Sequence, residues 1–255
     1  MFNHSKCFTL PLVVLLLASC SISRPVNKTL SPPSDTKWIN IEIKNPSPYT
    51  EPLPLEARYI SYSCQKKRIS GFDGSVITEP SYNVISIPMQ QEGEVWKAKT
   101  AMTGGGSCKW SLSAMTLGME YIDATHIGKD LLPGTAVGIT LAFDNDASRN
   151  GQFDILSDRN PVFSPTYFPL IKTNKLIREN DSLNIFGEED FMQKKLIDLT
   201  ESVTIKYLPT LDESKVVKMV APTEHKIGAF YKIIYPDGTV VSDGSTHPDV
   251  RRMAK

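Results

Sequence analysis

Apolar and polar residues alternate along many short stretches of this chain, with the period of two that is typical of half-buried strands. The clearest stretch covers residues 38–44, where Ile39, Ile41 and Ile43 alternate with polar side chains. Alternation or a short apolar run predicts further strands at 58–64, 83–89, 95–102, 108–121, 135–143, 203–207 and 216–220. The chain is therefore expected to be rich in short strands.

The stretch 108–121 changes its apolar phase partway along. Even-numbered positions are apolar up to Leu112, whereas odd-numbered positions are apolar from Met115 onward. A shift of one residue moves every following side chain to the opposite face of a sheet. The pattern therefore predicts either a β-bulge near Ala114 or a strand that passes from one sheet to another.

The C-terminal part of the chain contains one predicted helix and one predicted hairpin. Residues 188–199 begin with acidic side chains and continue with Met192 and Leu196 at helical spacing, which predicts a short helix. Pro-Asp-Gly at 236–238 separates two apolar runs, which predicts a hairpin over 231–241.

About ten short strands and a single helix favour the all-β class, mostly β with one short helix. We expect a β-sandwich-like domain over residues 37–255, and a smaller C-terminal β subdomain beginning near residue 160 is left open. The large aromatic residues are assigned to the core or the sheets: Tyr59, Tyr62, Tyr82 and Trp110.

The N-terminus has the features of a bacterial export signal. The apolar run 8–18 follows Lys6 and is shorter than the roughly 20 residues that span a bilayer. The run ends in Leu-Ala-Ser at 17–19 followed by Cys20, which resembles the lipobox of bacterial lipoproteins. This resemblance implies that residues 1–19 are a cleaved signal peptide. An ordinary secretory signal that happens to contain a cysteine is the alternative.

The lipoprotein resemblance implies acylation of Cys20 by diacylglycerol and by a further fatty acid such as palmitate. Two or more buried acyl chains hold a protein stably on a membrane. Ser21 rather than an aspartate follows the cysteine, which in this family implies the periplasmic face of the outer membrane. Residues 20–36 are polar and proline-rich, so they are expected to form a flexible tether that carries the lipidated cysteine.

The charges and the remaining cysteines restrict the chemistry. Lys and Arg number 28, as do Asp and Glu, and no basic run indicates nucleic-acid binding. Removal of the signal and acylation of Cys20 leave Cys64 and Cys108, for which a disulfide is predicted in an oxidising compartment. A metal pair or a catalytic thiol is the alternative, although no CxxC or histidine-rich spacing accompanies either residue.

A loop rich in Asp and Asn follows the strand predicted at 135–143. Counting from Asp146, oxygen-bearing side chains recur as in an EF-hand loop, and a glycine occupies the sixth position. The candidate calcium ligands are Asp146, Ser148, Asn150 and Asp154. Position 12 is Ser157 instead of glutamate and no helix leads in, so an ordinary polar turn is the alternative.

Hydrolase, nucleotide-binding and zinc-protease motifs do not occur in the sequence, and no catalytic residue is predicted. The segments GGGSCKWSLS, KDLLPGTAVG and YKIIYPDGTVVSDG are similar to those of enterobacterial lipoproteins encoded near type VI secretion effectors. That resemblance implies a protein partner and the role of an immunity protein, an inhibitor of a secreted effector. An envelope hydrolase with a site built from separated residues, or a structural lipoprotein of a secretion or envelope machine, is the alternative.

Overall fold

The computed structural model describes residues 26–177, 179–224 and 226–254. The predicted signal peptide 1–19 and the predicted lipidation site Cys20 lie outside the described residues. Within the described part of the chain, no helix is long and apolar enough to cross a membrane.

The described residues form twenty strands and one short 3₁₀ helix. The first ten strands are β1 (Trp38–Lys44), β2 (Thr50–Pro52), β3 (Leu55–Ile69), β4 (Val76–Ile87), β5 (Gln90–Glu92), β6 (Val95–Ala101), β7 (Thr103–Gly105), β8 (Trp110–Tyr121), β9 (Leu132–Pro133) and β10 (Val137–Ala142). The next ten are β11 (Asp154–Leu156), β12 (Val162–Phe163), β13 (Thr166–Thr173), β14 (Ser182–Phe186), β15 (Phe191–Leu196), β16 (Val203–Tyr207), β17 (Thr210–Leu211), β18 (Val217–Val220), β19 (Lys232–Ile234) and β20 (Val240–Val241). The 3₁₀ helix covers Val250–Ala254.

The first sheet has five strands in the order β12-β16-β1-β6-β5. Strand β1 lies at its centre, parallel to β16 and antiparallel to β6. Its three alternating isoleucines, Ile39, Ile41 and Ile43, are almost completely buried. Ile41 lies beside Ile205 on one side and Ala98 on the other. The alternation therefore predicted both the strand and its buried face correctly.

The second sheet has eight strands. Six of them run in the order β11-β15-β10-β8-β3-β4, while β2 and β7 also pair with β8. Between β3 and β8, Arg58 pairs with Ala114 but Tyr59 pairs with Leu112, so Ser113 is an extra residue on β8. The bulge predicted near Ala114 is confirmed. It turns the apolar side chains on either side of it towards the core.

The third sheet has seven strands, with β17 beside β13 and the remaining six in the order β20-β19-β18-β13-β14-β9. Buried apolar side chains, most of them from strands of this sheet, form a small cluster: Phe168, Leu170, Phe186, Val217, Met219, Ile233, Tyr235 and Met253. Strand β15 pairs with β10, and β16 pairs with β1. The chain beyond residue 160 therefore supplies six of the seven strands of the third sheet and also adds strands to the first two sheets.

One large core joins the three sheets. It contains Ile41 from the first sheet, Tyr59, Trp110 and Leu117 from the second, and Ile185 from the third. The burial of these large side chains removes much apolar surface from water, which is the main force that stabilises the fold. The chain has the all-β, sandwich-like fold that the strand pattern predicted.

A disulfide joins Cys64 to Cys108, as predicted. The two Cα atoms are 5.2 Å apart, and the bond connects β3 to the residue two places before β8. Because 44 residues separate the cysteines, loop closure in the unfolded chain would contribute about 4 kcal/mol in the chain-entropy description. Both sulfurs are bonded, so the alternatives of a metal pair and a catalytic thiol are wrong for these residues.

The helix predicted for residues 188–199 is wrong. Phe191–Leu196 forms strand β15, which pairs in parallel with β10 on one side and β11 on the other. Gly138 lies opposite Phe191, and Leu141 lies opposite Lys194. Pairing on both sides satisfies the backbone groups of this segment, and such tertiary context outweighs the weak helical preference of a short sequence.

The described part of the tether predicted for residues 20–36 is in contact with the domain. Residues 26–36, here called the N-terminal strap, lie against the second sheet. The indole nitrogen of Trp110 donates to the carbonyl of Asn27 at 3.1 Å, and Asn83 donates to that of Lys28 at 2.9 Å. Leu30 packs against the core. Polar composition predicted solvation, but the backbone carbonyls of the strap are bonded by side chains that lie far away in sequence.

Candidate functional site

The loop that was predicted to bind calcium folds onto the outer face of the second sheet. Ala147 and Phe153 of this loop pack against Ala114 of β8 and Ala142 of β10. Small side chains on the two strands leave room for the loop, and its apolar residues cover them. The loop begins at the end of β10, packs on these two strands and ends at β11.

Local hydrogen bonds shape the loop into tight turns. The carboxylate of Asp144 accepts a 2.6 Å bond from the Ala147 amide. Arg149 and Asn150 have positive φ angles of 51° and 55°, and Gly151 follows with 93°. Few residues other than glycine adopt this conformation, and asparagine is among those that tolerate it best. Turn chemistry thus accounts for much of the Asp, Asn and Gly content of this segment.

The side chains of three of the four candidate calcium ligands already have other partners. The carboxylate of Asp146 lies 3.6 Å from the Arg58 guanidinium, and that of Asp154 lies 2.5 Å from the Lys194 amine. The Ser148 hydroxyl is buried and donates to the Asn145 carbonyl, whereas Asn150 is exposed. Across the described ranges, no three His, Cys, Asp or Glu side chains are grouped so that they could hold a metal ion. Calcium binding stays a prediction.

A set of exposed or partly exposed aromatic, cationic and aliphatic side chains lies beside this loop. We call it the tyrosine–arginine patch, and it consists of Arg58, Tyr62, Tyr82, Val84 and Arg149. Register places Arg58 opposite Val84 and Ile60 opposite Tyr82, so Arg58 and Tyr82 are diagonal neighbours on one face. Tyr62 is 63% exposed. Tyr59, Tyr62, Tyr82 and Trp110 all lie in strands, in agreement with their assignment to the core or the sheets; Tyr59 and Trp110 are buried, whereas Tyr62 is exposed on β3.

Contacts with each other and with neighbouring residues hold Arg58 and Tyr82 of the patch in place. The Tyr82 hydroxyl donates to a carboxylate oxygen of Asp146 at 2.9 Å. The guanidinium carbon of Arg58 lies 5.3 Å from the centre of the Tyr82 ring, a cation–π distance. Arg58 also donates to the Ser113 hydroxyl of the bulge at 3.3 Å. Ordered side chains lose less entropy when a partner binds, which favours recognition.

The electrostatics keep both tyrosines protonated. Burial, the hydrogen bond to Asp146 and the charge of that carboxylate raise the pKa of Tyr82 to about 12, against a smaller lowering by the Arg58 cation. Desolvation, followed by the charges of Asp144 and Asp146, raises the pKa of Tyr62. Both hydroxyls therefore remain neutral hydrogen-bond donors at neutral pH.

A notch of about 240 Å³ opens between the patch and the loop. Its walls include Arg58, Val84, Thr116, Arg149 and Phe153. Pockets for small ligands usually exceed about 300 Å³. The notch is therefore better matched to one side chain of a partner than to a whole cofactor or substrate.

The patch borders a free sheet edge. Strand β4 is the last strand of the second sheet, and within the described residues it pairs only with β3. An edge strand offers unpaired backbone groups to another chain. Pro80 interrupts the donors along this edge, as is common where pairing must be limited.

A second cluster bears on the hydrolase alternative. His126 Nε2 lies 2.8 Å from Glu213 Oε1, and the hydroxyls of Tyr121 and Ser47 donate to the two oxygens of the same carboxylate at 3.1 and 3.3 Å. The His126 ring stacks on Tyr49 with ring centres 3.6 Å apart. The cluster thus brings a histidine, a carboxylate and a hydroxyl together.

Its geometry differs from that of a catalytic triad. In a triad the histidine lies between the nucleophile and the carboxylate. Here Glu213 lies in the centre, and the Ser47 hydroxyl bonds to it instead of to His126. Ser47 is only 6% exposed. This arrangement links three loops to the end of β8. The Ser47 hydroxyl is not hydrogen-bonded to the histidine that would activate it as a nucleophile.

The other histidines are separate from this cluster. His247 lies 3.2 Å from the Gly187 carbonyl and 3.9 Å from Asp190, near the 3₁₀ helix. His225 lies outside the described residues.

Sequence patterns missed Glu213 and Arg58 as members of these clusters. Glu213 occurs in a polar turn, and Arg58 occurs among strand residues, so neither position carries a motif. Their partners lie between 24 and 166 residues away along the chain. No match to this chain was found among protein family models, curated proteins or solved structures, so no relative assigns a role to either cluster.

Proposed function

We propose that this protein is a lipoprotein held on the periplasmic face of the outer membrane, where it acts as a non-enzymatic protein-binding module. The tyrosine–arginine patch is its contact surface. The lipobox-like sequence that ends at Cys20 supports the anchoring. The open, ordered patch beside a free sheet edge is the observation that carries the binding role.

The composition of the patch supports a protein partner. Tyrosine and arginine are enriched among the residues that contribute most to protein interfaces. Tyr62 and Val84 expose more than half of their surface. Arg149 is exposed and forms no ion pair within the described ranges. A partner that presents carboxylates and one apolar side chain would complement these residues and the notch.

The role of an inhibitor is the finer part of this proposal. Similarity to lipoproteins encoded near type VI secretion effectors supports an immunity function against such an effector. An inhibitor does not need catalytic groups of its own; it needs a stable surface at the place where the effector acts. A disulfide-bonded β domain on the membrane meets that requirement.

Anchoring can be tested directly. We expect cell fractionation to recover the wild-type protein with membranes and mass spectrometry to find acyl chains on Cys20. Cys20→Ser should release the protein into the soluble periplasmic fraction. Membrane recovery of an unacylated Cys20→Ser protein to the same extent would contradict the lipid anchor.

The binding role can be tested with a photo-crosslinking amino acid at Tyr62, in cells that also express a type VI secretion effector encoded beside the gene. We expect one crosslinked protein at Tyr62 and none with the same group at Val162, an exposed residue of β12. Loss of the band in Arg58→Ala would support the patch. Equal crosslinking at both positions, or none at Tyr62 with the effector present, would contradict it.

One observation favours an envelope hydrolase as a second candidate, namely the His126–Glu213–Ser47 cluster. That candidate predicts hydrolysis of an envelope ester, glycoside or peptide by the purified protein and complete loss of activity in Ser47→Ala. We expect no turnover beyond that of the Ser47→Ala control, because Ser47 is buried and bonded to the carboxylate.

A further inference from the structure

Strands β3 and β4 continue beyond the second sheet as a two-stranded arm, residues 65–80. β3 pairs with β8 only over residues 56–60, whereas its pairing with β4 extends to Ile69 and Val76. Within the described residues the arm therefore pairs only with itself and exposes both of its faces. Such isolated ribbons are marginally stable in water, and a contacting surface stabilises them.

The end of the arm exposes three large apolar side chains around a polar turn. Ile69 and Val76 lie opposite each other and are 73% and 65% exposed, and Phe72 in the turn is 99% exposed. The turn is closed by polar groups, since Asp73 accepts bonds from the amide and hydroxyl of Ser75. The three apolar side chains therefore form a tip that projects into solvent without covering any described part of the domain.

Three cations follow one another directly behind this tip. Arg68 pairs with Glu79 across the arm. Lys66 and Lys67 form no ion pair within the described part of the chain, although Lys66 lies 5.8 Å from the Tyr82 ring. An apolar end with cations behind it is the pattern of elements that enter a membrane interface, where apolar groups leave water and lysines meet anionic headgroups.

The N-terminal strap places the start of the described chain at the base of this arm. The Asn27 amide donates to the Ser107 hydroxyl at 3.2 Å. Ser107 precedes Cys108, whose disulfide to Cys64 fixes the point where the arm leaves the sheet. Any anchor at Cys20 therefore holds the arm side of the domain towards the membrane.

The segment between Cys20 and the strap, when fully extended, is about as long as the arm. Five residues, 21–25, separate Cys20 from the strap, and at about 3.5 Å per residue they span at most roughly 20 Å. The arm from Gln65 to Phe72 at about 3.3 Å per residue extends roughly 23 Å. The tip can therefore reach the same membrane surface that the anchor reaches.

We propose that the arm is a second membrane contact, in which Phe72, Ile69 and Val76 enter the phospholipid interface and Lys66 and Lys67 interact with anionic headgroups. This proposal rests on the membrane anchoring proposed above. Two points of attachment would fix the orientation of the domain relative to the membrane.

The test uses the chain from residue 20 onward with Cys20→Ser, so that no acyl chain contributes. We expect it to sediment with vesicles of phosphatidylethanolamine and phosphatidylglycerol, and less with phosphatidylcholine. Phe72→Ser with Ile69→Ser should lower the partition coefficient at least about tenfold, because two large apolar side chains are lost from the interface. Ile155→Ser with Ile227→Ser, equally exposed elsewhere, is the matched control and should change little.

Two further measurements separate insertion from simple charge attraction. Lys66→Gln with Lys67→Gln should remove the preference for phosphatidylglycerol but leave weak binding. Tryptophan fluorescence of Phe72→Trp should be quenched by brominated acyl chains, whereas that of Val240→Trp should not. Failure to bind vesicles, or equal losses in the arm variant and its control, would overturn the proposal, as would an arm buried against a protein instead.

The lipid anchor and the membrane contact of the arm can be disproved independently of each other. Absence of acyl chains on Cys20 would remove the anchor even if the vesicles bind the arm. Absence of vesicle binding by the Cys20→Ser chain would remove the arm contact even if Cys20 is acylated.

Discussion

The hydroxyl of Tyr82 donates a 2.9 Å hydrogen bond to the carboxylate of Asp146, 64 residues further along the chain. Tyr82 belongs to the edge strand β4, whereas Asp146 belongs to the loop that covers β8 and β10. Arg58 lies close to both, over the ring of Tyr82 and 3.6 Å from the carboxylate. The ionised carboxylate of Asp146 thus links its own loop to the edge strand β4 through Tyr82 and to the neighbouring strand β3 through Arg58.

Tyr82→Phe tests this link. The change removes one hydrogen bond to a charged acceptor at a partly exposed site, so we expect the free energy of unfolding to fall by about 1 kcal/mol. Urea denaturation measures the loss. Tyr231→Phe is the control, because that hydroxyl makes no hydrogen bond within the described residues. Equal effects of the two changes would show that the bond to Asp146 contributes nothing.

Buried tyrosines predict a loss of stability at alkaline pH. Burial raises the pKa of Tyr121 and Tyr207 well above 10 and that of Tyr167 to about 12. The folded protein thus holds these protons more tightly than the unfolded chain, whose tyrosines titrate near 10. Stability from these groups is complete below about pH 10 and is lost as pH rises towards 12 and beyond.

Tyrosinate absorbance and circular dichroism, followed together during an alkaline titration, check this prediction. We expect most tyrosines to ionise only as the fold is lost, and to titrate near pH 10 in concentrated urea. Ionisation of nearly all tyrosines near pH 10 with an intact fold would contradict it.

Glu213→Gln tests whether the histidine cluster is a structural link. Glu213 accepts bonds from Tyr121, His126 and Ser47, and the neutral amide replaces one acceptor oxygen with a donor. We expect a loss of about 2 kcal/mol in the free energy of unfolding. Glu94→Gln, at an exposed site, is the control and should stay within about 0.5 kcal/mol of wild type. An unchanged stability of Glu213→Gln would argue against a structural role.

Calcium provides a direct test of the Asp-rich loop. Because Asp146 and Asp154 are each next to a cation, we expect added calcium or a chelator to leave the melting temperature unchanged. An increase with calcium that Asp154→Asn abolishes would show that the loop binds the ion, since a ligand of the native state stabilises it by mass action.

Much of the fold follows from local patterns. The isoleucines of β1 alternate because one face of the strand is buried, and the bulge at Ser113 follows from the change of apolar phase that precedes Met115. A period of two is a property of the strand itself, so it is visible without knowledge of any neighbour. The alternation did not predict the arm. Neither face of the arm is buried, so its residues show no alternation of buried and exposed positions beyond Cys64.

Local patterns in the amino-acid sequence are sufficient to predict the all-β class, several strand positions, the buried parity of β1 and β8, and the pairing of the only two cysteines that remain beyond Cys20. Three features depend on long-range contacts in the folded chain: residues 191–196 form a strand, the strap binds Trp110, and Tyr82 contacts Asp146. Periodicity and turn chemistry act over a few residues, whereas these contacts join segments between about 50 and 80 positions apart. Their free energy comes from groups that meet only after the sheets have assembled, so no local pattern contains it.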